Sequence, residues 1–138
     1  MSDVSLKSII KSTATLEEEF PGYPGFIVSI AYPGRQQLTK IRKSASTQKF
    51  NRKTGQVEDL LDDEKFLHKF VESVIKGWKG LKISYLQELA LIDAEGLDPN
   101  TEIDFSVENA ITLMENSPAF DTWITEVSTE MENFTTHK

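Results

Sequence analysis

Within residues 93–104, Asp93, Glu95, Asp98, Asn100, Glu102 and Asp104 place oxygen ligands at a density that would suit a hard cation such as calcium. The spacing departs from a calcium loop. Gly96 stands fourth from Asp93 where an EF-hand needs its glycine sixth, and position twelve is Asp104 rather than Glu. The segment is expected to be a solvated acidic loop. His68 lies beside Lys65, Lys69 and Glu72 on the polar side of a helix, and His137 is one residue from the end. Neither belongs to an H-x-x-x-H or E-x-x-H pattern, so no metal site is expected. Gly77-Trp78-Lys79-Gly80 has the GxxG form of a backbone clamp for nucleic acid, but its second position is a bulky aromatic and the elements around it are in the wrong order. No serine or threonine sits in a nucleophile elbow, and no glycine loop is built to cradle phosphate. Neither an enzyme nor a cofactor is expected.

The elements that position these residues point to a scaffold. In residues 62–81, Phe66, Leu67, Phe70, Val71, Val74, Ile75 and Trp78 recur at helical spacing and form one broad apolar stripe. Asp62, Asp63 and Glu64 suit the positive end of the helix dipole. Gly77 and Gly80 flank Trp78, which predicts a helix that delivers a tryptophan to a turn. Phe66, Phe70, Val74, Trp78 and Trp123 are the candidate core residues.

Charge divides the chain. The net charge is −7, yet the basic residues from 35 to 53 (Arg35, Lys40, Arg42, Lys43, Lys49, Arg52, Lys53) have no acid among them. From residue 83 onward acids dominate and only Lys138 opposes them. Two solvated faces attracting each other across one fold is the favoured explanation. The alternative is that opposite fields face partners, including other copies of the chain. Nucleic-acid binding by the basic run is disfavoured, because the protein is acidic and Phe50 is the only aromatic in the run.

Hydrophobic and charged content are ordinary for a globular domain, and the length suits one domain with its own core. There is no cysteine, which excludes disulfides and thiol chemistry and fits a reducing compartment. No apolar run approaches the roughly 20 residues of a membrane span, and the N-terminus lacks the features of a signal peptide.

Residues 1–13 are expected to form an N-terminal arm, and residues 14–32 an antiparallel strand pair around the turn-rich Pro21-Gly22-Tyr23-Pro24-Gly25. A short basic helix follows with Leu38, Ile41 and Ala45 inward. Residues 46–58 are polar and read as an exposed loop. After the tryptophan helix, residues 81–92 fit a strand or a helix, with Tyr85, Leu86, Leu89 and Ala90 leaning slightly towards helix. Ser106 and Ser117 are expected N-caps of two closing helices, with Pro118 at the first position of the second. Residues 135–138 read as a disordered tail. The expected fold class is mainly α (α+β). It is a single compact helical domain over residues 1–138, of about four to five helices, with a small N-terminal antiparallel β element.

Several blocks, in one order, resemble a known family. They are SLKSIIKSTATLE, GFIVSIAYPGRQQLTKIRKSAS, KFNRKTGQ, FLHKFVESVIKGWKGLKISYL and FSVENAITLMENSPAFDTWITEV, closing with ENF. Over residues 6–134 the chain is similar to the tail assembly chaperones of long-tailed bacteriophages. The resemblance implies a largely helical protein that binds the tape-measure protein, keeps its apolar helical segments soluble and promotes assembly of the tail tube. It also implies work in the host cytoplasm and absence from the mature virion. Many members occur in two lengths through translational frameshifting; this chain has the length of the short form, and contact with tail-tube subunits would belong to the longer one.

A holdase needs apolar surface kept soluble by net charge. Candidate interaction residues are Arg35, Lys40, Arg42 and Lys43 on the basic helix, and Phe120, Val127, Met131 and Phe134 on the last helix. Self-association, without membrane or nucleic-acid partners, is a further expectation. The alternatives are a structural tail or head–tail connector subunit and a small nucleic-acid-binding regulator.

Overall fold

A computed structural model describes residues 5–10, 14–130 and 134–135. In chain order its elements are α1 (Leu6–Ile9), β1 (Ala14–Glu19), β2 (Ile27–Tyr32), α2 (Gly34–Ala45), β3 (Ser46–Asn51), β4 (Gln56–Leu61), α3 (Asp63–Val74), β5 (Ile75–Lys79), α4 (Ile83–Leu89), α5 (Val107–Asn116) and α6 (Pro118–Thr129). Among the described residues the strands form two antiparallel sheets, one of three strands in the order β1-β2-β5 and one of two, β3-β4.

This architecture corrects the expected fold class. The molecule is α+β with two antiparallel sheets, and its β structure is not confined to a small N-terminal element. Two segments account for the difference. Ile75 and Trp78 continue the spacing of α3, so the periodicity extends the helix too far. The chain leaves the helix at Val74, and Ile75–Lys79 pairs instead with β2, placing Trp78 opposite Val28 and Gly77 opposite Ser29. β-Branched and aromatic residues tolerate this extended path, and a bulge at Ser29/Ile30 adjusts the register. The second segment is residues 46–58, which form β3, a turn and part of β4 rather than a loop.

Capping residues explain the helix starts. The Asp62 carboxylate accepts the Lys65 N–H (3.1 Å), Ser106 Oγ accepts the Asn109 N–H (3.0 Å), and Ser117 Oγ accepts the Phe120 N–H (3.3 Å) with Pro118 in the first turn. Of the N-terminal arm, Leu6–Ile9 is a single exposed helical turn.

The core lies where α3, α5 and α6 meet the three-stranded sheet. Val28 and Ile30 of β2, Val71 and Val74 of α3, and Phe120 and Ile124 of α6 are fully buried. Phe120 stacks on Phe26 with ring centroids 6.0 Å apart, and the Trp78 ring meets both edge-on. Gly80, immediately after β5, has a positive φ of 78°, and a Cβ there would collide with the Gly25 carbonyl oxygen. Only glycine fits this crossing of two backbones.

Candidate functional site

A mostly apolar groove of about 280 Å³ lies between the end of β5, α4 and α5. Trp78, Leu81, Leu86 and Ile103 contribute its floor and walls, and Leu91 and Ile92 stand at its mouth. Leu91 is fully exposed and Ile92 is 39% exposed.

Backbone pairing fixes the far wall. Residues 99–103 return beside residues 81–84: the Ile103 N–H donates to the Leu81 carbonyl (2.8 Å), and the Ile83 and Ser84 N–H groups donate to the Thr101 (2.9 Å) and Pro99 (3.0 Å) carbonyls. The Trp78 indole N–H donates to the Ile103 carbonyl (2.9 Å), tying the tryptophan to the same strip. The Gly80 N–H donates to the Glu102 carboxylate (3.0 Å). The tryptophan is therefore half-buried, with one side in the aromatic core and its indole facing the groove wall.

Carboxylates crowd the chain segment that joins the groove residues Ile92 and Ile103. Glu88, Asp93, Glu95, Asp98, Glu102 and Asp104 are all exposed and interleave with the groove residues in sequence. Two of them serve the loop itself: the Asp93 carboxylate accepts the Glu95 N–H (3.1 Å) and that of Asp98 accepts the Asn100 N–H (2.9 Å). Among the described residues no group of three or more His, Asp or Glu side chains could hold a metal ion. Behind α4, burial, and secondarily the Glu88 carboxylate, raise the Tyr23 phenol above its ordinary pKa. The Tyr85 hydroxyl donates to the Pro24 carbonyl (2.6 Å) and locks the turn onto α4.

The other candidates are dispersed. Phe70 and Val74 are core residues; Phe66, Trp78 and Trp123 are half-buried against that core. Arg35, Lys40, Arg42 and Lys43 lie exposed along α2, and His68 is exposed on α3. Gly77, Trp78 and Lys79 are strand residues paired with β2, so the GxxG segment is not a free loop. The interaction surface anticipated on the last helix needs correction. Phe120 is 0% exposed, so it cannot meet a partner, and Val127 and Phe134 pack against the core. Met131 and His137 lie outside the described residues, as do residues 136–138 of the expected tail. Leu86, Leu91, Ile92 and Ile103 were not singled out as site residues, although the leucine and isoleucine beyond the end of α4, next to an acidic loop, are a visible signal.

No curated protein and no solved structure matches the chain. A family model does, that of the YdaY prophage protein, over residues 32–138. This span takes in the groove and most of the fold. The protein is thus phage-derived, and it belongs to the YdaY prophage protein family.

Proposed function

We propose that the protein is a non-enzymatic tail assembly chaperone that binds the phage tape-measure protein in the host cytoplasm and is left out of the mature virion. The observation that carries this reading is the apolar groove lined by exposed Leu91 and Ile92 and followed in the chain by the acidic segment 93–104. A client helix laid across it inserts apolar side chains into the groove, in the manner of helix-in-groove recognition. The net negative charge keeps the complex soluble while the client's apolar face is covered. The sequence has no phosphate-binding glycine loop, so binding alone supplies the energy. Phage origin and the ordered sequence blocks accord with this role, and contact with tail-tube subunits is assigned to a longer frameshifted form.

Co-expression with the tape-measure protein of the same phage tests the reading. The wild-type protein raises the soluble yield of the client without added nucleotide. Leu91→Asp with Ile92→Asp, at two exposed positions, returns that yield to its level without the chaperone and leaves the melting temperature unchanged. Arg52→Gln with Lys53→Gln leaves the yield intact. Loss of rescue from the charge changes alone would rule out the groove as the client site.

A structural tail or head–tail connector subunit is the second reading, favoured by the β3–β4 ribbon, whose exposed Phe50 and Val57 suit contact with a neighbouring subunit. Mass spectrometry of purified virions separates the two: a chaperone is absent from the particle and a structural subunit persists in it.

A further inference from the structure

The β3–β4 ribbon plays no part in the groove. Its two strands extend from the α2–α3 helix pair and pack chiefly on each other. At six residues each they span about 20 Å. Register places Phe50 directly opposite Val57, with Leu61 on the same face opposite Ser46. Phe50 and Val57 are 59% and 60% exposed. The tip beside them carries the exposed cations Lys49, Arg52 and Lys53. A two-stranded ribbon that covers no core is marginal in water on its own, and an aromatic–aliphatic pair held in solvent gains most from burial against a partner.

We propose that this ribbon docks into the apolar groove of a second copy of the chain. The two surfaces are complementary in both respects that matter. A closed apolar cavity of about 150 Å³ is enough to hold a benzene ring, so the groove of about 280 Å³ can take the Phe50 ring with Val57 against its mouth. The cations of the tip then meet the exposed carboxylates of residues 93–104, the segment that joins groove residues Ile92 and Ile103, a pairing that favours encounter and fixes orientation. Within one copy the ribbon packs on itself and the groove stays open. Ribbon and groove are different surfaces, so the contact is head-to-tail. It generates a ring if the rotation between copies closes, and an open helical series if it does not. A neighbour's ribbon and a client helix would exclude one another from the same groove.

Sedimentation of the full chain, without client, tests the proposal by charge exchange. Arg52→Glu with Lys53→Glu makes the ribbon tip acidic. Glu95→Lys with Asp104→Lys reverses two charges of the acidic segment beside the groove, at two carboxylates that cap no backbone group. The wild type sediments as concentration-dependent oligomers at low salt and as monomer at about 1 M salt, where screening reaches about 3 Å. Each variant alone is monomeric at low salt. An equimolar mixture of the two assembles again, because each ribbon then meets a groove of opposite charge. Phe50→Ser, which changes no charge, weakens wild-type assembly by at least about ten-fold, as expected for a central anchor. A monomeric wild type at low salt, or variants whose mixture fails to assemble, would overturn the proposal. So would salt-sensitive binding of duplex or single-stranded DNA that the acidic tip abolishes in a protein that never self-associates, which would assign the ribbon to nucleic acid. None of these readouts involves the tape-measure protein, so their failure leaves the co-expression result standing, and the reverse holds as well.

Discussion

The β1-β2-β5 sheet and the β3-β4 ribbon are both antiparallel and built from strands of five or six residues, yet they relate to the rest of the molecule in opposite ways. β2 buries Val28 and Ile30 completely beneath α3 and α6, and β5 contributes buried Ile75. The ribbon buries neither face: Phe50, Val57, Leu60 and Leu61 are all exposed. A sheet that covers a core is held by burial, and each of its backbone crossings becomes a constraint on stability. A ribbon held only by its own ladder and turn is free to serve contacts with other molecules. Substitutions in the two regions should therefore separate stability from association.

The largest effect is expected at Gly80. Its positive φ and its contact with the Gly25 backbone leave no room for a Cβ, and a carbonyl oxygen cannot move aside as a side chain can. Gly80→Ala should destabilise the domain by more than about 4 kcal/mol, the range associated with disruption of a special backbone geometry. Thermal unfolding followed by circular dichroism reads this directly. A shift of only a few degrees would mean that the β5–turn junction is soft, and the sheet would lose its claim to be the constrained region.

Trp78→Ala comes next, at about 3 kcal/mol, the lower end for loss of a large aromatic. The ring is half-buried, but it contacts Phe26, Phe105 and Phe120, and its indole N–H holds the Ile103 carbonyl. Trp78→Phe keeps much of the packing and loses the hydrogen bond, so it should cost about 1 kcal/mol while loosening the groove wall. If both variants melted like the wild type, the groove would be independent of the core.

Much of the three-stranded sheet was legible in the sequence, and the ribbon was not, for one physical reason. Burial writes a pattern into sequence. Ile27, Val28 and Ile30, bounded by Pro24-Gly25 and Pro33-Gly34, read as a strand because the core demands apolar side chains there. Ser106, Ser117 and Pro118 announce helix starts because capping is local chemistry. Residues 46–58 cover nothing, so no periodicity marks them. What remains is turn chemistry: the Asn51 side chain accepts the Lys53 N–H (2.9 Å), its carbonyl accepts the Gly55 N–H (2.8 Å), and Gly55 takes a positive φ. Ile75 and Trp78 failed differently. Their spacing continues the helical stripe of α3, and only pairing with Ile30 and Val28, across a bulge, takes them into a strand. The groove was hidden because its far wall is made by residues 99–103 folding back on residues 81–84, a contact that local sequence does not encode. The assignment of Phe120 to an outer surface treated an apolar helical face as available, when enclosure is the commoner fate of such a face.

At the junction of the two regions, Asp62 ends the ribbon and caps α3, with its N–H donating to the Ala45 carbonyl (2.8 Å) and its carboxylate accepting from Lys65. Asp62→Ala should cost about 1 kcal/mol through the lost cap, measured by denaturant midpoint at constant m-value. A larger loss, accompanied by weaker assembly, would show that the ribbon's position depends on this one residue.

The smallest effect on stability, and the most telling contrast, belongs to the ribbon itself. Phe50 and Val57 touch solvent over more than half of their surface, so Phe50→Ser with Val57→Ser removes little burial from the single copy. The change in unfolding free energy should stay within about 0.5 kcal/mol, as for surface substitutions elsewhere. Cross-strand pairing between the two side chains is worth at most a few tenths to about 1 kcal/mol to the ribbon, and that local loss does not propagate, because the strands pack chiefly on each other. Hydrogen exchange would show faster opening of the β3–β4 amides with unchanged protection in β2 and α3. The same variant should sediment as a monomer where the wild type assembles. If the double substitution instead lowered global stability by several kcal/mol, the ribbon would be part of the folding unit, and the separation of a stability-bearing sheet from an association-bearing ribbon would fail.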